Sequence, residues 1–470
     1  MEKILIVRPP SLTFNRKRYV RDFDVPFMLK YLESVILSQN KYKVKFIDCI
    51  VDSLEWGILE EITKKFLPDI LILHTLVHDR NCVFEYVNKM KKGNKNIIII
   101  AIGPDATACP ERYIFESSPF DFSIAGECES SLLELLGSLR QRQHKKINGV
   151  YSISHKDNSI IENENLDSLP FPVYSKSDLQ KYHLSYPVRI YKKVIWGHIL
   201  SSRGCQHKCM FCSQIVRQTY GKKIRLRGAE SVIQEIRYLL NLGANMISFC
   251  DDNFTCSYGH VTSICKAIIN NKLSVKWSAQ ARVDELDDKL LKLMEEAGCI
   301  HIRFGLESGS EKILKILRKT NNANLWLTQA KKVFDECRKL GIDTVALFIL
   351  GTPLETEEDI KKTAQFAIDL NPDFLQLHYF IPYPGSVFYL ENKIEMDKIV
   401  YKENFFHYSP PEMVFNNMKE EILSREMKRI YKDFYLRPRY IINNLYKFGL
   451  FYLSNPNIIM PLLKQLKRNI

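Results

Sequence analysis

Cys205, Cys209 and Cys212 lie within eight residues, in the segment Ser-Ser-Arg-Gly-Cys-Gln-His-Lys-Cys-Met-Phe-Cys. Three thiolates at this spacing suit three irons of a four-iron, four-sulfur cluster. Closed electron-transfer clusters take four cysteines, so three leave one iron open for chemistry. With 12 Cys in 470 residues, chance gives this spacing roughly 0.01 times per chain. The competing reading is a zinc site or a run of structural thiols. Zinc wants a fourth Cys or His, and His207 lies between the cysteines. An aromatic residue, Phe211, precedes the last of them.

The residues around this loop repeat a strand pattern and then a helix pattern. Strands are expected at 195–201, 245–250, 275–279, 301–306, 344–350 and 374–380, with amphipathic helices at Glu230–Leu242, Asp287–Ala297, Leu325–Leu340 and Glu357–Leu370. In barrels of this type the residues just past each strand carry the chemistry. Those positions hold Cys250-Asp251-Asp252-Asn253, Ala281-Arg282-Val283-Asp284, Gly305-Leu306-Glu307-Ser308-Gly309, Ile349-Leu350-Gly351-Thr352-Pro353 and Tyr379-Phe380-Ile381-Pro382-Tyr383-Pro384-Gly385. Adjacent carboxylates need a reason to be together, which is either a site or a helix cap or Asx-turn. Arg282 suits a carboxylate partner, in a ligand or in a structural salt bridge. Tyr379 and Tyr383 suit proton or hydrogen-atom donation, or plain packing.

Residues 1–150 also alternate strand and helix. Lys3–Val7, Tyr42–Asp48, Asp69–Leu73, Asn96–Ile102 and Phe122–Ala125 read as strands. Phe27–Leu37, Ser53–Phe66, Cys82–Lys91 and Ser130–Arg140 read as helices. The near-pure isoleucine run is that of a central parallel strand. The alternation argues for a doubly wound α/β domain, whose ligands sit at the carboxyl ends of its strands. Those ends are Leu73-His74-Thr75-Leu76, Ile102-Gly103-Pro104-Asp105 and Ala125-Gly126-Glu127-Cys128. Residues 151–194 read as a linker, polar at Asp157–Asn165 and proline-fixed at Leu166–Pro172. Residues 195–400 form the second domain, and 401–470 a basic helical extension.

The apolar fraction is 46% and the formal charge +13. From Ser424 to the end, ten Lys or Arg face two acids, a net of +8, interleaved with tyrosine and phenylalanine. This tail suits a solvated helical face or peripheral contact with a membrane; nucleic acid is not favoured. The first residues read as a strand rather than a signal peptide, no apolar stretch approaches the 18 or so residues of a spanning helix, and the nine other cysteines show no disulfide-framework spacing. A cytoplasmic enzyme, at most membrane-associated, is expected.

The three-cysteine loop with Phe211 before its last ligand resembles the radical SAM superfamily. The strand-end phrases resemble its subclass with an N-terminal cobalamin-binding domain, over roughly residues 1–400. Pro104 and Cys128 stand where that subclass has glycines. The resemblance implies a doubly wound Rossmann-like domain followed by a partial (β/α)6 barrel. It implies that Cys205, Cys209 and Cys212 hold a 4Fe–4S cluster whose open iron chelates S-adenosylmethionine (SAM), which is cleaved to a 5′-deoxyadenosyl radical. It further implies SAM contacts from Phe211, Asp251 or Asp252, Arg282, Glu307, Ser308 and Ile349. Cobalamin contacts would come from Thr75, Leu76, Gly103, Gly126 and Glu127. The expected activity is that of class B radical SAM methyltransferases: C-methylation of an unactivated carbon in a small-molecule or lipid-like substrate, with flavodoxin or ferredoxin as reductant. The alternatives are a radical SAM oxidase, cyclase or rearrangement enzyme without methyl transfer, and a tRNA or protein methylthiotransferase.

Overall fold

The computed structural model describes residues 1–11, 25–143, 145–156, 159, 161–182, 194–212, 220–397 and 418–454. Runs of isoleucine and leucine without polar alternation make strands buried on both faces. β3 (Ile70–His74) and β4 (Ile98–Ile102) are of this kind, and they sit in mid-sheet. With β1 (Glu2–Arg8), β2 (Tyr42–Asp48), β5 (Phe122–Ile124) and β6 (Val150–Tyr151) they form a sheet of order β2-β1-β3-β4-β5-β6. All neighbours are parallel except β5 and β6. Helices Phe27–Leu37 and Cys128–Arg140 cover one face. Helices Trp56–Phe66 and Arg80–Gly93 cover the other. This is the doubly wound arrangement, with its ligand end at His74, Ile102 and Ile124.

The expected helix over Ser53–Phe66 begins only at Trp56, because Ser53 has φ +56° and cannot sit in a right-handed helix. The antiparallel strand β6 is a two-residue addition beyond the pattern legible in the sequence.

The second sheet has six parallel strands, in the order β14-β13-β12-β11-β10-β7. They are β7 (Trp196–Ile199), β10 (Met246–Phe249), β11 (Trp277–Ala281), β12 (Cys299–Glu307), β13 (Asp343–Leu350) and β14 (Phe374–Tyr379). The intervening helices bury Val232, Ile264, Leu291, Trp326, Phe334 and Ile360 against the strands' outer faces. β7 and β14 end the series, so this is a partial barrel. A short ribbon, β8 (Ser202–Arg203) with β9 (Arg225–Leu226), brackets the cysteine loop. Two-residue strands carry no periodicity, so nothing in the sequence announces it.

The segment 161–182 is a strap between the two sheets. Asn163 N–H donates to Glu127 Oε2 at 3.0 Å, and Val173 N–H to Ser34 Oγ at 3.1 Å. The Tyr182 hydroxyl donates to Asp48 Oδ2 at 3.2 Å, and Gly228 N–H to Asp167 Oδ2 at 2.8 Å.

Three tyrosines of the C-terminal extension seal an edge. β14 is an outermost strand, and unpaired strand edges invite aggregation. Helix Glu420–Tyr435 lies along it. Leu377 N–H donates to the Tyr431 hydroxyl at 2.9 Å. Leu375 N–H donates to the Tyr435 hydroxyl at 2.9 Å, which returns a bond to Leu375 O at 2.8 Å. The Tyr440 hydroxyl donates to Asp373 O at 2.6 Å. Packing and edge capping therefore account for these tyrosines. Tyr435→Phe leaves one N–H and one C=O of β14 without partners, at a cost of about 1–3 kcal/mol. A lower urea midpoint with an unchanged slope is the expected result. No described helix is long and apolar enough to cross a membrane.

Candidate functional site

The cysteine loop hangs at the carboxyl end of the second sheet. Its middle is pinned by two backbone hydrogen bonds: Met210 N–H to Leu317 O at 2.8 Å, and Phe388 N–H to Met210 O at 3.2 Å. Cys209 is 8% exposed, and Cys205 and Cys212 are half-buried. None of the twelve cysteines forms a disulfide. The Cys212 thiol is pushed well up, first by burial and then by the charges of Cys209 and Cys205. Three thiols on one loop, close enough for the charges of Cys209 and Cys205 to act on Cys212, are the donor set of an iron–sulfur cluster. His207 is turned away from the thiols. Its Nε2 lies 2.9 Å from Glu285 Oε1, so the structure gives it another partner than a zinc ion.

Glu285, in the loop after β11, gathers the loop after β10. It accepts from Asn253 Nδ2 at 2.7 Å and Thr255 Oγ1 at 2.8 Å. Burial works to raise its pKa, but these bonds and His207 outweigh it and hold the carboxyl low. Arg282 is held by the loop itself. It forms a bidentate pair with Asp284 at 3.0 and 2.8 Å, donates to Lys319 O at 2.9 Å, and lies 4.9 Å from the Trp326 ring centroid.

The structure separates the two adjacent aspartates. Asp251 is fully buried and accepts from Ser201 N–H at 3.2 Å, Ser201 Oγ at 2.9 Å and Ser202 Oγ at 2.5 Å. It ties the end of β10 to the end of β7. Asp252 is half-buried and makes no hydrogen bond among the described residues. Burial, and then the neighbouring Asp251, push its carboxyl up to about 8. Of the two, Asp252 has the acceptor capacity left for a ligand amine.

Glu307 sits where β12 bulges, with φ +69°. Its carboxylate accepts from Lys319 Nζ at 2.9 Å, and both side chains are buried. Lys319 Nζ lies 6.0 Å from the Phe211 ring centroid. Phe211 packs against the cluster of Ile313, Leu317 and Phe380, on which Ile349 of β13 also packs, so the aromatic residue of the cysteine loop and the end of β13 share one apolar cluster. Ser308 is turned the other way. Its hydroxyl lies 3.0 Å from Thr363 Oγ1 and accepts from Ser310 N–H, so it holds the turn against helix Glu357–Leu370. Tyr379 belongs to the helix-facing core with Leu375 and Leu377. The expectation of a donor at the barrel mouth is corrected there, because strand alternation points Tyr379 outward. Lys319, Glu285 and Trp326 were not legible as site residues, since nothing in their local sequence sets them apart.

The ligand end of the first sheet faces this mouth. Val77 packs with Ile381, Tyr383 and Tyr389. The His78 ring meets Tyr383 edge-on at 5.7 Å. Arg112 donates to the Tyr389 hydroxyl at 3.2 Å and to Asp397 Oδ1 at 2.9 Å. Thr75 Oγ1 donates to Ile102 O at 2.9 Å and accepts from Ala106 N–H at 3.1 Å, closing the ends of β3 and β4; Leu76, half-buried, follows it. Gly126 N–H donates to Thr107 Oγ1 at 3.2 Å. Glu127 is turned from the ligand end into ion pairs with Arg203 at 3.0 Å and Arg225 at 2.5 Å.

One buried polar atom at this end is open to a ligand: His74 Nδ1 has no hydrogen-bond partner among the described residues, and burial, then the charge of Arg8, lowers the imidazole pKa to about 3. The fold takes up both departures from the subclass pattern. Pro104 occupies the first position of a short helix, where its missing N–H costs nothing. Cys128 is fully buried, with Sγ 3.4 Å from Gly126 O, in the core beneath helix Cys128–Arg140.

A partial barrel with an open-iron cysteine loop at its carboxyl end defines a radical SAM domain, and here it is preceded by a doubly wound domain facing its mouth. Residues 199–367 match the profile of the radical SAM superfamily. The chain is 30% identical over 455 residues to an uncharacterized methyltransferase of Pyrococcus horikoshii, covering 95% of each chain. It is 24% identical to the anaerobic magnesium-protoporphyrin IX monomethyl ester cyclase of Rubrivivax gelatinosus, over 88% of this chain and 74% of that one. Among solved structures, the radical SAM methyltransferase TsrM from Kitasatospora setae, with cobalamin and a [4Fe–4S] cluster bound, superposes with a TM-score of 0.65 at 16% identity, over 83% of this chain and 78% of that one. The cobalamin-dependent radical enzyme OxsB matches with a TM-score of 0.64 at 18% identity, over 89% of this chain and 58% of that one. The protein belongs to the same family as the P. horikoshii methyltransferase and carries a radical SAM domain, whose cofactors are SAM and a 4Fe–4S cluster; its fold is that of enzymes in which a doubly wound domain precedes that domain.

Proposed function

We propose that the protein is a cobalamin-dependent methyltransferase acting on carbon in a small polar molecule. One observation carries this reading: the ligand end of the first sheet is packed directly against the barrel mouth, through Val77, His78 and Tyr383. A corrinoid at the first site and SAM at the second would share one enclosed space. When bound, the cluster supplies the electron that cleaves SAM, and the corrinoid supplies a methyl group.

The chain's own residues then have distinct tasks. Cys205, Cys209 and Cys212 bind the cluster. Asp252 accepts from the SAM amino group, and Lys319 with Glu307 presents a fixed charge pair beside Phe211. Phe211 and Ile349 provide an apolar surface for the nucleoside. Tyr383, with Ile381 and Val77, excludes water where the two domains meet. Holding the reactants together in one dry space is the principal contribution a protein makes to such a transfer.

The barrel's inner face supports a polar substrate. Gln280, Arg303, Gln376 and His378 are half-buried, on the strand faces opposite Ala279, Phe304, Leu375 and Leu377, which pack on the helices. The name of the P. horikoshii relative supports methyl transfer. The name of the R. gelatinosus relative supports a cyclase, which the same scaffold would perform without net methylation. Methyl-deuterated SAM, supplied with a reductant and fractionated small molecules, distinguishes them. The expected result is a product retaining the deuterated methyl group on carbon. Deoxyadenosine formation with no labelled product would reject methyl transfer in favour of the cyclase.

A further inference from the structure

We infer that Arg203 is a positioning residue that fixes the first half of the cluster loop against the N-terminal domain, so that the cluster's setting depends on that domain. Arg203 ends β8, two residues before Cys205. It is 2% exposed. One guanidinium nitrogen donates to Glu127 Oε2 at 3.0 Å and another to Glu129 Oε1 at 2.7 Å. The guanidinium lies between two rings, 4.8 Å from the centroid of Tyr31 and 4.9 Å from that of Tyr220. Glu127, Glu129 and Tyr31 all belong to the N-terminal domain. Arg225 of β9 adds a second cation on Glu127 at 2.5 Å.

The acids are well placed to hold it. Glu127 stands at the N-cap position of helix Cys128–Arg140 and Glu129 lies in its first turn, where the helix dipole favours negative charge. Two acids and two arginines make the cluster neutral, and a buried charged group without its partner is costly. The guanidinium fork satisfies two carboxylates and two ring faces at once, which a lysine cannot do.

The loop between Arg203 and Cys212 is therefore held from two sides. Its middle is bonded to the barrel at Leu317 and Phe388. Its start is held by Arg203 to the N-terminal domain. Gly204 between them has φ +92°, and a Cβ there would lie 2.3 Å from Lys223 O, so the chain turns sharply into Cys205 with no slack. Glu127 also adjoins Gly126 at the ligand end of the first sheet. A continuous path thus runs from that end to the first cysteine through one ion pair.

The test uses the full chain, reconstituted anaerobically with iron and sulfide, as wild type, Arg203→Met, Arg203→Lys and Glu129→Gln. Three quantities are read: iron per chain, the electron paramagnetic resonance spectrum of the reduced cluster, and the SAM concentration that half-converts that spectrum. Arg203→Met should retain iron but show an altered line shape and need about tenfold more SAM. Arg203→Lys should recover part of the shift. Glu129→Gln lies on the other domain, far from the cysteines in sequence, and keeps a neutral acceptor for Arg203. It should show a smaller shift of the same kind, and it decides the matter if Arg203→Met does not fold. Spectra and SAM responses that superpose on wild type in the folded variants would overturn the proposal.

Discussion

Cys209→Ala abolishes 5′-deoxyadenosine formation and leaves a folded chain with little cluster iron. This is the largest single effect the structure predicts. Cys209 is the least exposed residue of the three cysteines, and Met210 beside it anchors the loop through both its backbone groups. A cluster left with two thiolates has lost a covalent ligand that no neighbour replaces, because His207 is committed to Glu285. The fold does not depend on the thiol: the loop's backbone bonds and the Arg203 ion pairs remain. Deoxyadenosine release from SAM and dithionite, with a circular-dichroism melt as control, checks both halves. Deoxyadenosine at the wild-type rate would remove Cys209 from the site.

Gly103→Ala has the second largest expected effect, and it acts on the other domain. Gly103 turns the chain at the end of β4 with φ +104°. Side chains rarely tolerate that region, and strain of this kind costs about 1–3 kcal/mol. Space is also lacking. The added Cβ would lie 2.8 Å from His74 Cδ2 and 3.0 Å from Thr75 N. His74 and Thr75 would have to move, and they form the ligand end of β3. The variant should lose stability and retain at least about tenfold less corrinoid than wild type, while cluster iron and SAM binding persist. Corrinoid absorbance beside iron content, on the same sample, measures this. Full corrinoid retention would show that the ends of β3 and β4 do not form that site.

Much of the fold is legible in the chain because it rests on long periodic runs. The amphipathic helix Glu357–Leu370 stands as read from sequence, and the strand expected at Asn96–Ile102 is β4, starting two residues later at Ile98. The cysteine spacing by itself marks the reactive loop. What stays hidden depends on contacts distant in sequence. Asp251 and Asp252 are chemically identical neighbours, and only Ser201 and Ser202, some fifty residues earlier, decide that Asp251 is structural. Glu127 reads as a ligand-end residue, but its partner Arg203 is 76 residues away. The tail's aromatic residues read as part of a solvated helical face or a peripheral membrane contact, yet Tyr431 and Tyr435 cap the backbone of β14. Tyr379 is misplaced by sequence for a simpler reason: one step along a strand exchanges the mouth for the core.

Corrinoid content per chain tests the central claim most directly. The protein is purified anaerobically with hydroxocobalamin supplied, and cobalt, corrinoid absorbance and iron are measured together. About one corrinoid per chain beside an intact cluster is the predicted result. An intact cluster with no corrinoid would contradict the account: the first domain would then be a scaffold for the barrel mouth, and methyl transfer through cobalamin would be excluded.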